Sequence, residues 1–261
     1  MKAGIRMIAS DYDGTLRYLD EVTQEDLEAV ERWKKAGNLF VIDTGRSMES
    51  MSQEAAKCGL RADYYVTNNG GMVYDRDRNE MFATRIDPVM AVDIMYIAHE
   101  IGNVVSYVAN DGYYRHRIVI DPLLTEMRYP ALEPDMSEEE LMRLGKYAQI
   151  VISMDTEENA SALAARINSH FPDLVAAYAN RYVTDIVPAG VSKATGLMQL
   201  CSLTGIDPDN VYTIGDADND IPLIRFGSHG ACIKDAPDEI RKHAKKTYAC
   251  MKEMIEDILK Q

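Results

Sequence analysis

The chain has 261 residues, 46% hydrophobic and 27% charged, which excludes a mostly disordered chain and leaves room for one large domain or two smaller ones. Its formal net charge of −14 and pI of about 4.8 set it against nucleic-acid backbones and anionic membranes as partners.

The first segment, Met1 to Ile8, is interrupted by Lys2 and Arg6 and does not read as a signal peptide. No apolar run reaches the roughly 20 residues of a membrane span, so a soluble, cytoplasmic protein is expected. Ile5 to Ala9 suits a buried strand that ends at Asp11-Tyr12-Asp13-Gly14. Thr23 then N-caps a helix that stops at Gly37. Leu39 to Ile42 is a second strand, ending at Asp43-Thr44-Gly45. A helix follows from Ser47 to Cys58 with Gly59 as its stop, and Tyr64-Tyr65-Val66 is a third strand ending at Asn68-Asn69-Gly70. Alternating strands and helices predict a parallel sheet with right-handed crossovers.

From about Ala83 to Asp185 the pattern changes. A helix over Pro88 to Glu100 precedes a strand from Val104 to Val108, and Asn110-Asp111-Gly112 turns it into a strand over Tyr113-Tyr114-Arg115. Gln149 to Ile152 is a strand, Glu157 to His170 a helix, and two strands lie around Leu174 and Tyr182. Helix plus hairpin therefore occurs twice, a weak internal repeat of pattern. The α/β alternation resumes with a helix from Ser192 to Leu203 closed by Gly205, and a strand from Val211 to Ile214 ending at Gly215-Asp216. A short helix at Pro222 to Phe226, a strand at Gly230 to Ile233 and helices at Asp238 to Lys245 and Lys252 to Leu259 finish the chain. The predicted architecture is a Rossmann-like parallel-sheet core, residues 1–82 and 186–261, with an inserted α+β domain at 83–185.

Ligands of open parallel sheets sit beyond the carboxyl ends of the strands. The groups ending these strands are Asp11, Asp13, Thr44, Asn69, Asp216, Asp218 and Asp220. Carboxylates gathered in one crevice repel unless a cation joins them, and an all-oxygen donor set favours Mg2+. The five histidines show no metal-ligand spacing, and the four cysteines form no C-x-x-C pair, as expected of free thiols in a reducing compartment. Thr44 and the Gly45 N–H offer donors for phosphate oxygens. Lys193 offers positive charge in the first turn of a helix, where it opposes the macrodipole unless an anion sits nearby.

Asp11-Tyr12-Asp13-Gly14-Thr15-Leu16 resembles the first motif of the haloacid dehalogenase superfamily. Ile42-Asp43-Thr44-Gly45-Arg46 is similar to its second motif, Lys193 to its third, and Gly215-Asp216-Ala217-Asp218-Asn219-Asp220 to its fourth. An insertion between the second and third motifs resembles the Cof-type branch with a C2B cap, subfamily IIB. The resemblance implies an α/β core with an inserted α+β cap, and a Mg2+-dependent phosphatase acting on small phosphorylated metabolites such as sugar phosphates or phosphoglycolate. It implies Asp11 as nucleophile and Asp13 as general acid and base. The metal would be held by Asp11, the main-chain carbonyl of Asp13 and Asp216, with Asp220 orienting Lys193 behind them. Thr44, Gly45, Lys193 and Asn219 would hold phosphate, with Arg46 and Asn69 as candidate substrate contacts. Ala217-Asp218 departs from the commoner pattern, and Asp218 reads first as a helix N-cap, with a spare ligand and a simply exposed side chain as alternatives. Arg46 reads equally well as a salt-bridge partner on its helix. A phosphomutase of the same superfamily and a receiver-like phospho-acceptor stand as alternatives.

Overall fold

The computed structural model describes residues 4–125 and 132–260. The first three residues of the Met1–Ile8 segment lie outside them. By its internal contacts the chain divides into two compact units, Met1–Phe82 with Ser192–Gln261, and Ala83–Val191.

The first unit is built on an eight-stranded sheet. Its strands are β1 (Met7–Ser10), β2 (Leu39–Asp43), β3 (Tyr64–Thr67), β4 (Met72–Asp75), β5 (Glu80–Ala83), β11 (Val211–Gly215), β12 (His229–Ile233) and β13 (Lys246–Tyr248). They lie in the order β13-β12-β11-β1-β2-β3-β4-β5. β1 is central and pairs in parallel with β2 and β11, and all four β1 residues are buried. An apolar run buried on both faces suits such a strand.

Helix α1 (Gln24–Lys35) starts where the Thr23 hydroxyl accepts from the Asp26 N–H, and α2 (Met48–Cys58) where Ser47 caps Ser50. The α2 helix stops at Gly59, in the left-handed region at φ 75°. On one face of the sheet, α6 (Lys193–Thr204) lays Leu197, Leu200 and Cys201 against Met7, Ala9, Val41 and Val66. Burying each of those leucines contributes about 1.5–3 kcal/mol. On the other face, Trp33 of α1 meets the Tyr212 ring edge-on and donates to the Leu39 carbonyl at 2.7 Å.

Three elements of this unit depart from the sequence reading. β4 runs antiparallel to β3, so the sheet is mixed. The predicted helix at Asp238 to Lys245 shortens to α8 (Asp238–Arg241), and Lys246–Tyr248 becomes the edge strand β13. Asp218 does not cap a helix: Ala217 occupies that position, and Asp218 is exposed in a short 3₁₀ turn leading to α7 (Ile221–Ile224). The last helix, α9 (Met251–Leu259), packs on α1.

The second unit is an antiparallel sheet of β6 (Val104–Asn110), β7 (Arg115–Val119), β8 (Gln149–Met154), β9 (Val175–Asn180) and β10 (Val183–Pro188), in the order β7-β6-β8-β10-β9. Helices α3 (Pro88–Ile101) and α5 (Glu157–His170) share its core, with the short α4 (Glu138–Met142) beside them. The helix-plus-hairpin pattern recurs as α3-β6-β7 and α5-β9-β10. Tyr113 and Tyr114 belong to the turn rather than to a strand, because Asp111 Oδ1 accepts from both of their N–H groups at 2.7 Å and delays β7 to Arg115. The unit extends past Asp185 because β10 pairs with β9 as far as Pro188.

No helix among the described residues is long and apolar enough to cross a membrane.

Candidate active site

The carboxyl ends of β1, β2 and β11 gather the acidic residues around one buried lysine. Lys193 is the first residue of α6, entered through a Ser192–Thr195 capping box, and it is fully buried. Its ammonium donates to Asp11 Oδ1 at 2.5 Å and to Asp220 Oδ1 at 2.6 Å. Lys193 is thus a buried cation rather than a solvated surface residue. Burial opposes the charge on Lys193, but Asp11, Asp220 and Asp43 more than offset it and move its pKa upward.

Asp220 is fully committed. Besides Lys193, its other oxygen accepts from the N–H groups of Asp216 and Ala217, both at 3.0 Å, which folds the fourth motif into a tight turn. Asp11 is not. Its Oδ2 is buried and receives no hydrogen bond, and burial, against the pull of Lys193 and with the help of Asp220 and Asp216, raises its pKa to about 7. Asp216 lies beside it, oriented by the Thr15 hydroxyl at 2.6 Å, and is likewise raised by burial. Gly14, at φ 89°, leaves room for this approach: a Cβ there would sit 2.3 Å from Asp216 Oδ2.

Carboxylate oxygens of Asp11, Asp216 and Asp220 all lie within 4.8 Å of one another. Since both Asp220 oxygens are already bonded, Asp11 Oδ2 and Asp216 are the carboxylates left to a hard cation, and an orphaned buried oxygen beside a second carboxylate fits one. Asp13 contributes no side-chain oxygen to this cluster.

Instead the Asp13 carboxylate faces two arginines. Arg46 grips it with Nε at 2.6 Å and Nη2 at 2.7 Å, and Arg17 reaches Oδ1 at 3.2 Å. Burial works against the charge on Asp13, yet the arginines outweigh it and hold the carboxyl below its usual range. Arg46 therefore spends its fork on Asp13, with its remaining Nη1 on Ser50 at 3.0 Å.

Thr44 is buried at the end of β2, its N–H on the Val66 carbonyl, while Gly45 is exposed. Asn68 and Asn69 both adopt the left-handed region, at φ 53° and 55°, where asparagine is tolerated better than most residues. Asn219 donates from Nδ2 to Asn69 Oδ1 at 3.2 Å, and that oxygen would lie 3.0 Å from a Cβ at Gly45. Gly45, Asn69 and Asn219 are thus brought together at the rim.

Sequence reasoning missed Asp43. It is fully buried, and neither carboxyl oxygen has a hydrogen-bond partner. The available signal was a carboxylate ending an otherwise apolar strand, Leu39-Phe40-Val41-Ile42. Burial pushes its pKa well above the usual carboxylate range, against the pull of Lys193 and with the help of Asp220 and Asp11. The folded chain therefore holds this proton more tightly than the unfolded chain. As pH rises above the ordinary carboxylate range the unfolded chain releases it first, so stability falls with pH. Asp43→Asn removes that dependence. In EDTA, its urea midpoint relative to wild type should be higher at pH 8 than at pH 5; an equal difference at both would show that Asp43 ionises freely.

The sequence profile of the haloacid dehalogenase-like hydrolases matches residues 8–254. A 5-amino-6-(5-phospho-D-ribitylamino)uracil phosphatase of Bacillus subtilis is 24% identical over 257 residues, covering 95% of this chain and 93% of that protein. An HMP-PP phosphatase of Serratia proteamaculans is 23% identical over 239 residues, covering 90% and 86%. Among solved structures, a haloacid dehalogenase-like hydrolase from Bacteroides thetaiotaomicron superposes with a TM-score of 0.83 at 19% identity, covering 97% of this chain and 99% of that one. A HAD subclass IIB sugar phosphatase superposes with a TM-score of 0.74 at 18% identity, covering 98% of each chain. The fold is shared with both. With the profile matched along nearly its full length, the chain belongs to the haloacid dehalogenase-like hydrolase family, the superfamily that its four motifs resemble.

Proposed function

We propose that the chain is a Mg2+-dependent phosphatase that hydrolyses small phosphate monoesters, in the class of sugar phosphates or phosphoglycolate-like metabolites, through an aspartyl phosphate on Asp11. The observation that carries this reading is the asymmetry of the Asp11 carboxylate: Oδ1 is fixed by Lys193, while Oδ2 is buried and free of donors beside Asp216. The names of the curated relatives, phosphatases of small phosphorylated compounds, support the substrate class. In this reading the unit of Met1–Phe82 and Ser192–Gln261 is the catalytic core and Ala83–Val191 the cap.

The proposed chemistry follows from the side chains. A carboxylate oxygen of Asp11 attacks phosphorus, and the leaving oxygen takes a proton from Asp13. Asp13, returned to its carboxylate form, then removes a proton from the water that hydrolyses the acyl phosphate. The two arginines favour that base form, so the proton that Asp13 gives to the leaving oxygen has to be taken up as the ester binds. Lys193 lowers the cost of bringing phosphate oxygens to a carboxylate-lined site, and Thr44, Gly45 and Asn219 donate to those oxygens. Asp11, Asp216 and the main-chain carbonyl of Asp13 would hold Mg2+, which when bound supplies charge that offsets the anions of nucleophile and phosphate.

Inorganic phosphate release across a panel of phosphate esters tests the reading. EDTA should reduce turnover to background and Mg2+ restore it. Because Asp11 is raised to about 7 without metal, cation and proton compete, and less Mg2+ should be needed for half-maximal activity at pH 8 than at pH 6. Full activity in EDTA would end the proposal.

A further inference from the structure

The arginine pair on Asp13 is itself held from beneath by a residue outside all four motifs. Glu54 lies on α2 with its side chain 17% exposed. Its two oxygens face different arginines: Oε2 is 3.8 Å from Arg17 Nε, and Oε1 is 3.8 Å from Arg46 Nη1. Lys57 also reaches Oε1 at 2.8 Å, from an exposed position one turn on. Arg17 and Arg46 are each about one-quarter exposed. Arg46 is further confined by Ser50 and by the Tyr12 ring, over which its guanidinium stands 5.5 Å from the centroid.

Asp13 needs such confinement. Its side chain is 42% exposed and no other part of the core touches its carboxylate in the hydrogen bonds described. A carboxylate that must meet the leaving oxygen, and afterwards a water, has to be held in one rotamer. Two arginines so close together repel, and nearby anions offset that repulsion. Asp20 Oδ1 lies 3.0 Å from Arg17 Nη2 but is exposed and faces Arg17 alone, whereas the largely buried Glu54 faces both arginines. The result is a ring of alternating charge, Asp13, Arg46, Glu54 and Arg17, closed entirely within the catalytic unit.

We propose that Glu54 is a positioning residue: by holding Arg17 and Arg46 in register it fixes the Asp13 carboxylate for proton transfer. The proposal rests on the phosphatase reading for its consequence in turnover, but its structural half stands apart. Glu54 meets neither phosphate nor metal in this arrangement. It acts on the rate of chemistry and leaves ester binding alone.

The test uses Glu54→Gln, which keeps the shape and removes the charge, with saturating Mg2+ and a sugar phosphate, whose alkoxide leaving group needs the proton from Asp13. The expected result is a kcat lower by about three- to tenfold with KM within about twofold of wild type, since the loss falls on a transition-state contact. Glu54→Asp should recover part of it. Arg17→Gln should lower kcat similarly, and the double variant should be no worse than the weaker single, because both break one ring. Independently of turnover, 15N relaxation of the arginine Nε–Hε groups should show Arg17 and Arg46 ordered in wild type and markedly more mobile in Glu54→Gln. Unchanged arginine order in the variant, an unchanged kcat, or strictly multiplicative losses would each overturn the proposal. Failure of the phosphatase reading looks different: wild type releasing no phosphate from any ester would sink that reading, while the relaxation measurement would still decide whether Glu54 orders the arginines.

Discussion

Asp11→Asn is expected to lower phosphate release by about 10⁴-fold or more while leaving the chain folded and as stable as wild type. The substitution changes almost no volume. It removes the carboxylate lone pairs that would attack phosphorus, and an amide does not replace them at a useful rate. The cost to the fold is small for a specific reason. Burial already disfavours charge on Asp11, whose pKa is raised to about 7, so the neutral amide relieves desolvation at the same time as it weakens the bond to Lys193. Lys193 retains Asp220 at 2.6 Å. The measurement is an initial rate with a small ester alongside a thermal melt. Retention of more than about 1% of wild-type kcat would remove Asp11 from the nucleophile's role.

Lys193→Met is expected to behave in the opposite way, losing stability as well as activity. Methionine fills a similar volume and removes only the ammonium. Asp11 and Asp220 would then face each other in a dry interior with no cation between them, at 5% and 1% exposure. Breaking a buried ion pair by deleting one partner costs about 3–5 kcal/mol, and kcat should fall by about 10²–10³-fold as the charge next to phosphate disappears. A further signature separates charge from packing. Mg2+ should raise the urea midpoint of Lys193→Met more than that of wild type, because a divalent ion between the orphaned carboxylates replaces part of the missing charge. A variant as stable as wild type in EDTA would show that the lysine is not the keystone of this cluster.

The sequence shows those elements whose local chemistry and tertiary fate agree. Helix α5 spans Glu157–His170 as expected because Thr156 caps it and its apolar positions recur at helical spacing. Asp11, Asp216, Asp220 and Lys193 were legible as strand-end and helix-start residues, and the chain brings them together across a separation of 182 residues between Lys193 and Asp11. What was not legible depends on partners far away in sequence. β13 is three residues long, two of them exposed, and is a strand only because β12 offers an edge. β4 has no element assigned to it in the sequence reading and is a strand through its pairing with β3. Arg46 left two readings open, a substrate contact or a salt bridge on its helix. Its bidentate grip on Asp13 is a fact of tertiary geometry, as is the placement of Arg17 and Glu54 on either side. Asp43 lies in the second motif, but its being a buried carboxyl without hydrogen-bond partners depends on the packing around it.

The central position of β1 has a consequence for how this chain emerges from a ribosome. One neighbour of β1, β2, is translated soon after it. The other, β11, lies beyond the whole of Ala83–Val191, as do Lys193 and Asp220. At elongation rates of about 5–20 residues per second, the half-made sheet waits on the order of ten seconds for its second flank. During that interval one side of β1 is an open strand edge, and Asp11 and Asp43 are close together with no lysine to balance them. The intervening unit has no such delay, since all five strands of its sheet are encoded inside it. The nascent chain thus completes Ala83–Val191 first and the unit that flanks it last. The interval between the two is when chaperones protecting exposed strand edges matter most to its yield.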